Sequence, residues 1–167
     1  MENAIPALLI GALLIVSSAL IARSGLKSYD DVGASVKAMQ TRLVDQVQSR
    51  LTISNVTVDG GGGGITLNLA NVGQTRVATY ERVDLILTYF TSPTARVTSW
   101  LPYDQGAGPN SWTLVSITND AYEPGILNPG ETAVIHVTLA VPVQAGKTNF
   151  VLMDSEAGSV ASTNFNS

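Results

Sequence analysis

The chain begins with a long apolar run that no charge interrupts. Residues 4–22 are 19 positions without an Asp, Glu, Lys or Arg. A helix of this length spans roughly 28 Å, close to the hydrocarbon thickness of a bilayer. The run is apolar on every side, so lipid or other helices must surround it completely. Its large side chains are those of Ile5, Leu8, Leu9, Ile10, Leu13, Leu14, Ile15, Val16, Leu20 and Ile21.

Three interpretations of this run remain open from the sequence. A cleavable signal peptide usually has a basic N-terminal flank, whereas residues 1–3 carry only the acidic Glu2. A permanent single-span anchor fits the length and the composition. A third possibility is a segment that sits in the membrane in a precursor and later packs against copies of itself. The small residues Gly11, Ser17 and Ser18 would let such helices approach closely.

A single apolar stripe follows the run. Spacings of three and four residues identify the stripe as one face of an α-helix. Its members are Tyr29, Val32, Val36, Met39, Leu43, Val47 and Leu51. We predict one helix over 1–51, apolar in 1–22 and amphipathic in 23–51, with a length of about 75 Å. The rest of the chain is too small to cover such a helix, whereas lateral packing of many identical helices would cover both parts.

From residue 52 the periodicity changes to two, which predicts β-strands. Apolar and polar residues alternate in short segments, separated by turns rich in Gly, Pro and Asn. The predicted strands lie at 52–58, 65–70, 83–90, 96–101, 112–118, 133–143 and 149–153. This arrangement is typical of an antiparallel sandwich. We therefore predict an α+β chain in which the N-terminal helix leads into an Ig-like antiparallel β-sandwich head over 52–167.

Composition and charge exclude several classes of function. The chain is 45% hydrophobic and 13% charged, against about a quarter charged in an ordinary soluble domain. It has no Cys and one His, so thiolate zinc sites and multi-histidine metal sites are excluded. Residues 53–167 carry a net charge of −5, which disfavours nucleic acid as a partner. We predict a protein that is not an enzyme and binds no metal or cofactor.

Two glycine-containing segments are partly similar to phosphate-binding loops, but neither has the complete motif. Gly146-Lys147-Thr148 ends like a phosphate-binding loop, but position 141, where that motif needs its first Gly, is Val. The run of glycines at 60–64 has neither the Lys nor a following helix. It indicates a flexible connection within a hairpin.

The remaining polar candidates are also more typical of surface positions. His136 lies opposite the apolar face of its predicted strand, so we interpret it as a surface residue. The acidic residues in 119–123 and 154–156 lack the spacing of a calcium loop and indicate solvated loops. Asn55 begins the sequon Asn55-Val56-Thr57 and is a possible N-glycosylation site.

The architecture of the whole chain resembles the archaeal-type flagellins, which are the subunits of the archaellum and relatives of type IV pilins. Local similarity is greatest at three segments: the helix exit QVQSRLTISNV at 46–56, LNLANVG at 67–73, and LNPGE at 127–131. The Asn-x-Gly and Pro-Gly-Glu turns in the last two are similar to turns of archaellin heads and of related stator proteins. Bacterial pilins usually have Glu at the fifth mature position, where this chain has Ile5, so the archaellin resemblance is the stronger one.

The resemblance implies a structural protein. It implies a homopolymeric extracellular filament for swimming motility, in which the side chains of 5–21 pack the core and the stripe from Tyr29 to Val47 continues that packing. It also implies a precursor in the cytoplasmic membrane, a signal peptidase that removes a leader before Met1, and an assembly ATPase with its platform. Two alternatives remain open: an adhesive type IV-like pilin, and a membrane-anchored stator protein of the archaellum machinery.

Overall fold

The computed structural model describes residues 4–120 and 122–167, with the side chains of 9–24, 27–44, 48–120 and 122–167. The chain divides into two compact units, one ending at Leu43 and the other running from Val44 to Ser167. A single helix, α1, extends over Ala4–Gln48. Pro6 lies in its first turn, where a missing N–H is tolerated.

Eight strands follow the helix. They are β1 Leu51–Val58, β2 Gly64–Asn71, β3 Asp84–Phe90, β4 Arg96–Leu101, β5 Ser111–Thr118, β6 Thr132–Thr138, β7 Thr148–Asp154 and β8 Val160–Asn166. A 3-10 turn, Tyr80–Arg82, precedes β3. The glycines at 60–63 connect β1 to β2, as the sequence predicts for a hairpin connection.

The strands form two antiparallel sheets of four. The first sheet has the order β1-β2-β6-β5 and the second has the order β4-β3-β7-β8. In immunoglobulin lettering this is A-B-E-D against C′-C-F-G, the arrangement that defines an Ig-like sandwich. The predicted α+β fold, a long N-terminal helix followed by an antiparallel sandwich, is therefore confirmed.

The core lies between the two sheets. Its largest fully buried side chain is Trp112, which packs against Tyr103 and Tyr80 with ring centroids at 4.9 and 6.3 Å. Burial raises the pKa of Tyr80 to about 12, because the ionised phenol would lose its hydration. The other fully buried side chains are Ile65, Leu67, Leu69, Leu85, Leu87, Leu101, Leu127, Ile135, Val137, Val151 and Met153.

One strand prediction is wrong in extent. The predicted strand 133–143 ends at Thr138, and Val141 is 50% exposed instead of facing the core. The chain turns there to bond the glycine hairpin, since the amides of Leu139 and Val143 donate to the carbonyls of Gly63 and Gly62 at 2.8 Å each. Gly62 has a φ of +70°, and a Cβ there would lie 2.7 Å from the carbonyl oxygen of Val143.

The sequence pattern also misses β8. The prediction closes the second sheet with 149–153, whereas β8 lies beyond that strand at the edge. Only Ala161 and Phe165 of this strand are buried, and its other positions are mostly polar. An edge strand with one covered face and few apolar residues gives a weak alternation signal.

Candidate functional site

The first candidate site is the surface of α1. The described large apolar side chains from Leu9 to Val44 are each 50–79% exposed in the single chain. The predicted core residues Leu9, Ile10, Leu13, Leu14, Ile15, Val16, Leu20 and Ile21, and the predicted stripe residues Tyr29, Val32, Val36, Met39 and Leu43, all belong to this set. The side chains of Ile5, Leu8 and Val47 lie outside the described part. No described part of the chain covers these side chains. Their predicted roles in packing therefore stay predictions.

The apolar part of α1 is long and apolar enough to cross a membrane. Within Leu9–Val44 an 18-residue window has a mean hydropathy of 1.9. Its two hydroxyl groups are satisfied locally, since Ser17 and Ser18 donate to the carbonyls of Leu13 and Leu14 at 2.8 and 2.7 Å. Such bonds spare the helix an unpaired polar group in hydrocarbon. The helix is therefore compatible with membrane anchoring.

The second candidate site is the exit from α1, which is hydrogen-bonded to the turn after β2. The amide of Gln74 donates to the carbonyl of Gln48 at 2.7 Å, and the amide of Val72 donates to the carbonyl of Arg50 at 2.9 Å. Thus the turn after β2 bonds the last residue of the helix and the residue before β1. We call the segments 48–50, 71–74 and 128–131 together the exit clamp.

Asn71 is the central residue of the exit clamp. Its side-chain amide donates to the carbonyls of Thr75 and Leu127 at 2.9 and 3.1 Å, and its Oδ1 accepts from the amide of Gly73 at 3.1 Å. Its own backbone joins the second turn, where Gly130 donates to Asn71 and Asn71 donates to Glu131 at 2.8 and 2.9 Å. Asn71 is 1% exposed, and its side-chain bonds to Leu127 and Gly73 are buried.

The second turn is closed by its own carboxylate. Oε2 of the buried Glu131 accepts from the backbone amide of Asn128 at 2.7 Å. The side chain of Asn128 donates to the carbonyl of Ile126 at 3.2 Å. The two motifs on which the sequence resemblance rests, Asn71-Val72-Gly73 and Pro129-Gly130-Glu131, therefore line one groove of about 390 Å³.

Gly73 allows the turn after β2 to lie close to the backbone at the exit from α1. A Cβ at this position would lie 2.4 Å from both the amide nitrogen of Arg50 and the carbonyl oxygen of Gln48. Any larger side chain would displace the backbone that leaves the helix. The sequence shows an Asn-x-Gly turn here, but only the structure brings it against the helix exit, which is 23 residues earlier in the sequence.

The remaining sequence candidates lie apart from one another. His136 lies half-buried on the outer face of β6, and its Nδ1 is 3.3 Å from Thr66 Oγ1. Asn55 is exposed at the irregularity in β1 with a φ of 50°. Among the described residues no three His, Cys, Asp or Glu side chains come together as a metal site would require.

The acidic loops have structural partners. Asp120 accepts from the amide of Gly125 at 2.9 Å, and Glu123 pairs with Arg76 at 2.8 Å. This pairing raises the pKa of Arg76. Glu156 pairs with Arg82 at 3.2 Å. Asp154, which the sequence places in a loop, is instead the last residue of β7.

The fold defined above, an Ig-like antiparallel sandwich, is shared with two solved structures. The archaellum periplasmic stator protein FlaG from Sulfolobus acidocaldarius is similar with a TM-score of 0.53 and 20% identity, over 70% of this chain and 99% of that chain. The archaellum periplasmic stator protein complex FlaF and FlaG from the same organism gives a TM-score of 0.53 and 21% identity, over 70% of this chain and 88% of that chain. Similarity at this level establishes a common fold. No protein-family model matches the sequence, and no curated protein sequence is significantly similar to it.

Proposed function

We propose that this chain is a membrane-anchored stator protein of an archaellum-type machine, with the apolar part of α1 in the membrane and the sandwich outside it. The observation that carries the proposal is the match of almost the whole solved stator chain to this fold. The matched share of this chain equals the length of residues 51–167, which is the sandwich. The apolar helix would then supply the attachment to the membrane.

The helix has the energetics of a stable anchor. Covering one Leu or Ile side chain contributes about 1.5–3 kcal/mol, and the eight described large apolar residues between Leu9 and Ile21 are all exposed in the single chain. Arg23 and Lys27 follow directly after the apolar run. Their long side chains can reach the headgroup region while their stems remain on the apolar side.

The exit clamp suits a part that must resist force. The residues that leave the helix are hydrogen-bonded to the turn at 71–74, which the turn at 128–131 bonds in its place, and β1 begins at Leu51, after only Ser49 and Arg50. Force applied to the sandwich would therefore reach the helix end through a short connection that two backbone hydrogen bonds hold, and not through a flexible linker. A static component of a rotating machine needs such a connection.

A second candidate function is the filament subunit that the sequence resemblance implies. The stripe of Tyr29, Val32, Val36, Met39 and Leu43 favours it, because these side chains are at least 50% exposed beyond the apolar run and a bilayer around 4–22 would not cover them. Neighbouring helices in a filament would cover these side chains. In this second candidate function the apolar helix would lie in the membrane only in the precursor, before the subunit enters the filament.

Shearing surface filaments from cells that make the protein separates the two candidates. Quantitative mass spectrometry would compare the sheared filaments with the membranes that remain. A stator is expected in the membranes at low copy number, and loss of its gene should stop rotation while filaments persist. Recovery of this chain as the main component of the filaments would contradict the stator proposal and support the filament subunit.

A further inference from the structure

The outer faces of the two sheets differ in chemistry. The four strands of the first sheet contain no Asp, Glu, Lys or Arg, and their outward positions carry mostly hydroxyl and amide groups such as those of Ser54, Thr66, Asn68 and Thr113. The outer face of the second sheet carries apolar side chains and uncharged polar ones in its middle and charged groups at its two ends. Its apolar side chains are Ile86, Phe90, Trp100, Phe150, Leu152 and Val160.

One row across the second sheet is mainly apolar, and the row beside it adds Phe150 to two threonines. Trp100, Ile86 and Leu152 are register neighbours on β4, β3 and β7, and the next row places Thr88 beside Phe150. Trp100 is 60% exposed and Val160 is 55% exposed. An aromatic residue with this exposure in a continuous apolar row is typical of a surface that a partner covers.

One end of this face is acidic. Asp84 and Asp154 are directly opposed on β3 and β7. Nε1 of Trp100 donates to Oδ1 of Asp84 at 2.8 Å, while Oδ1 of Asp154 has no hydrogen-bond partner within the described part of the chain. Two like charges therefore stand side by side without a cation between them.

The other end of the face is basic. The guanidinium of Arg96 lies 5.8 Å from the centroid of the Phe90 ring, and the ammonium of Lys147 lies 5.4 Å from it. Among the described residues the ion pairs involve Arg76 and Arg82, so neither of these two cations has a carboxylate partner there. Six residue steps along β3 separate the two ends, which is about 20 Å.

We propose that this face binds the same face of a second copy of the chain, about a two-fold axis that lies in the interface and runs across the strands. That axis places the acidic end of one copy over the basic end of the other, twice. Between the ends, the row of Trp100, Ile86 and Leu152 of each copy lies over the row of Thr98, Thr88 and Phe150 of the other. An axis along the strands would instead place acid on acid and base on base. Two sheets packed in this way bury their facing side chains in a layer about 10 Å thick.

The proposed geometry can be tested by cross-linking, because the natural chain has no Cys. Val160 and Asn166 are exposed at opposite ends of β8. In full-length protein in detergent micelles, Val160→Cys mixed with Asn166→Cys should be linked by a short bis-maleimide. Each variant alone should link at least about tenfold less, since the two-fold axis sets like positions far apart. Ser116→Cys, exposed on the outer face of the first sheet, is the control and should not link.

Charge reversal tests the complementarity independently of the cross-linking positions. Arg96→Glu with Lys147→Glu makes both ends acidic, and Asp84→Lys with Asp154→Lys makes both ends basic. Each double variant alone should lose at least about tenfold of the 160-to-166 cross-linking, whereas a mixture of the two should recover it. High salt should weaken the natural pair, because screening shortens the range of the charges.

Three outcomes would overturn the proposal. Linking of Val160→Cys to itself would show parallel copies, and linking at Ser116→Cys would show another face or association through the helix alone. Absence of linking between positions 160 and 166 at micromolar concentrations would show that this face has a different occupant. Circular dichroism and tryptophan emission of each variant establish that the sandwich is folded before these results are interpreted.

Discussion

The backbone amide of Leu51 donates a hydrogen bond of 3.1 Å to the hydroxyl of Ser159, 108 positions later in the chain. Leu51 begins β1 at the edge of the first sheet, and Ser159 directly precedes β8 at the edge of the second. The first strand after the helix is therefore joined to both sheets: to the first through β2, and to the second through this one buried bond.

Ser159→Ala should destabilise the sandwich by about 1–2 kcal/mol, because the buried amide of Leu51 loses its acceptor. Both tryptophans of the chain, Trp100 and Trp112, lie in the sandwich. Urea unfolding followed by tryptophan emission therefore reports on this unit. Ser162→Ala, exposed on β8, is the control and should leave the midpoint unchanged. Equal midpoints for the two variants would show that the bond contributes nothing.

Gly73→Ala should destabilise the sandwich by at least about 2 kcal/mol, because its Cβ would overlap backbone atoms that cannot move away cheaply. The atoms concerned are the amide nitrogen of Arg50 and the carbonyl oxygen of Gln48, each 2.4 Å from the added carbon. Gly60→Ala is the matched control, since nothing lies within 4 Å of a Cβ there. A normal urea midpoint for Gly73→Ala would contradict the close approach at the exit clamp.

Asn71→Ala should cost about 3 kcal/mol, because it removes three side-chain hydrogen bonds, those to the carbonyls of Thr75 and Leu127 and that from the amide of Gly73. Asn68→Ala, on the same strand but on the outer face, should cost far less. Hydrogen exchange of residues 71–74 should accelerate in the first variant alone. Unchanged hydrogen exchange of residues 71–74 would show that the Asn71 side chain does not stabilise the exit clamp.

Leu14→Asp should weaken membrane association, since a carboxylate near the middle of a spanning helix costs about 3 kcal/mol on insertion scales. Ser35→Asp, exposed in the amphipathic part of α1, should bind vesicles like the natural chain. Vesicle flotation measures binding, and tryptophan emission should show a folded sandwich in both variants. If neither variant changes flotation, the apolar run is not the anchor. Loss of filaments with Leu14→Asp would in addition favour the filament subunit.

Asp154 should make the stability of the sandwich depend on pH in a defined direction. Burial raises its pKa above the ordinary value of 3.8, and the charge of Asp84 raises it further. Because the folded state then holds the proton more tightly than the unfolded chain, stability rises as the pH falls through the raised pKa and is fully gained below 3.8.

Asp154→Asn should therefore stabilise the sandwich at neutral pH, by less than about 1 kcal/mol since solvent screens a partly exposed group. The advantage over the natural chain should vanish below pH 3.8. Thermal unfolding of both proteins at the two pH values measures it. An advantage of equal size at both would assign the effect to packing and not to charge.

Much of the fold can be predicted from the sequence because the two periodicities are strong. The stripe from Tyr29 to Leu43 requires a helix, and segments such as 65–70 require strands with one buried face. The strand β8 is missed because only Ala161 and Phe165 mark its buried face. Val141 is placed wrongly because alternation continues past Thr138, while Pro142 and the bonds to the glycine hairpin end the strand there.

The candidate site is harder to predict than the fold. The turns at 71–73 and 129–131 are visible in the sequence, yet the contact of the two turns with each other, and of the first with residues 48–50, depends on strand order. The opposition of Asp84 and Asp154, and the position of Lys147 beside the Phe90 ring, likewise depend on the register between strands distant in sequence. Periodicity assigns a residue to a face but does not choose its neighbour across the sheet.

The bond from the amide of Gln74 to the carbonyl of Gln48 also has a consequence for how the chain folds. A helix leaves its last four carbonyls without partners, and here the cap for one of them comes from a turn 26 residues further on. The last turn of α1 is thus completed only when the sandwich has formed. Accordingly, Val44–Gln48 belong to the compact unit of the sandwich, and the boundary between the two units falls within the helix at Leu43. Helix and sandwich therefore share one hydrogen-bonded turn, and shortening the helix from its C-terminal side would take away the acceptor of the Gln74 amide.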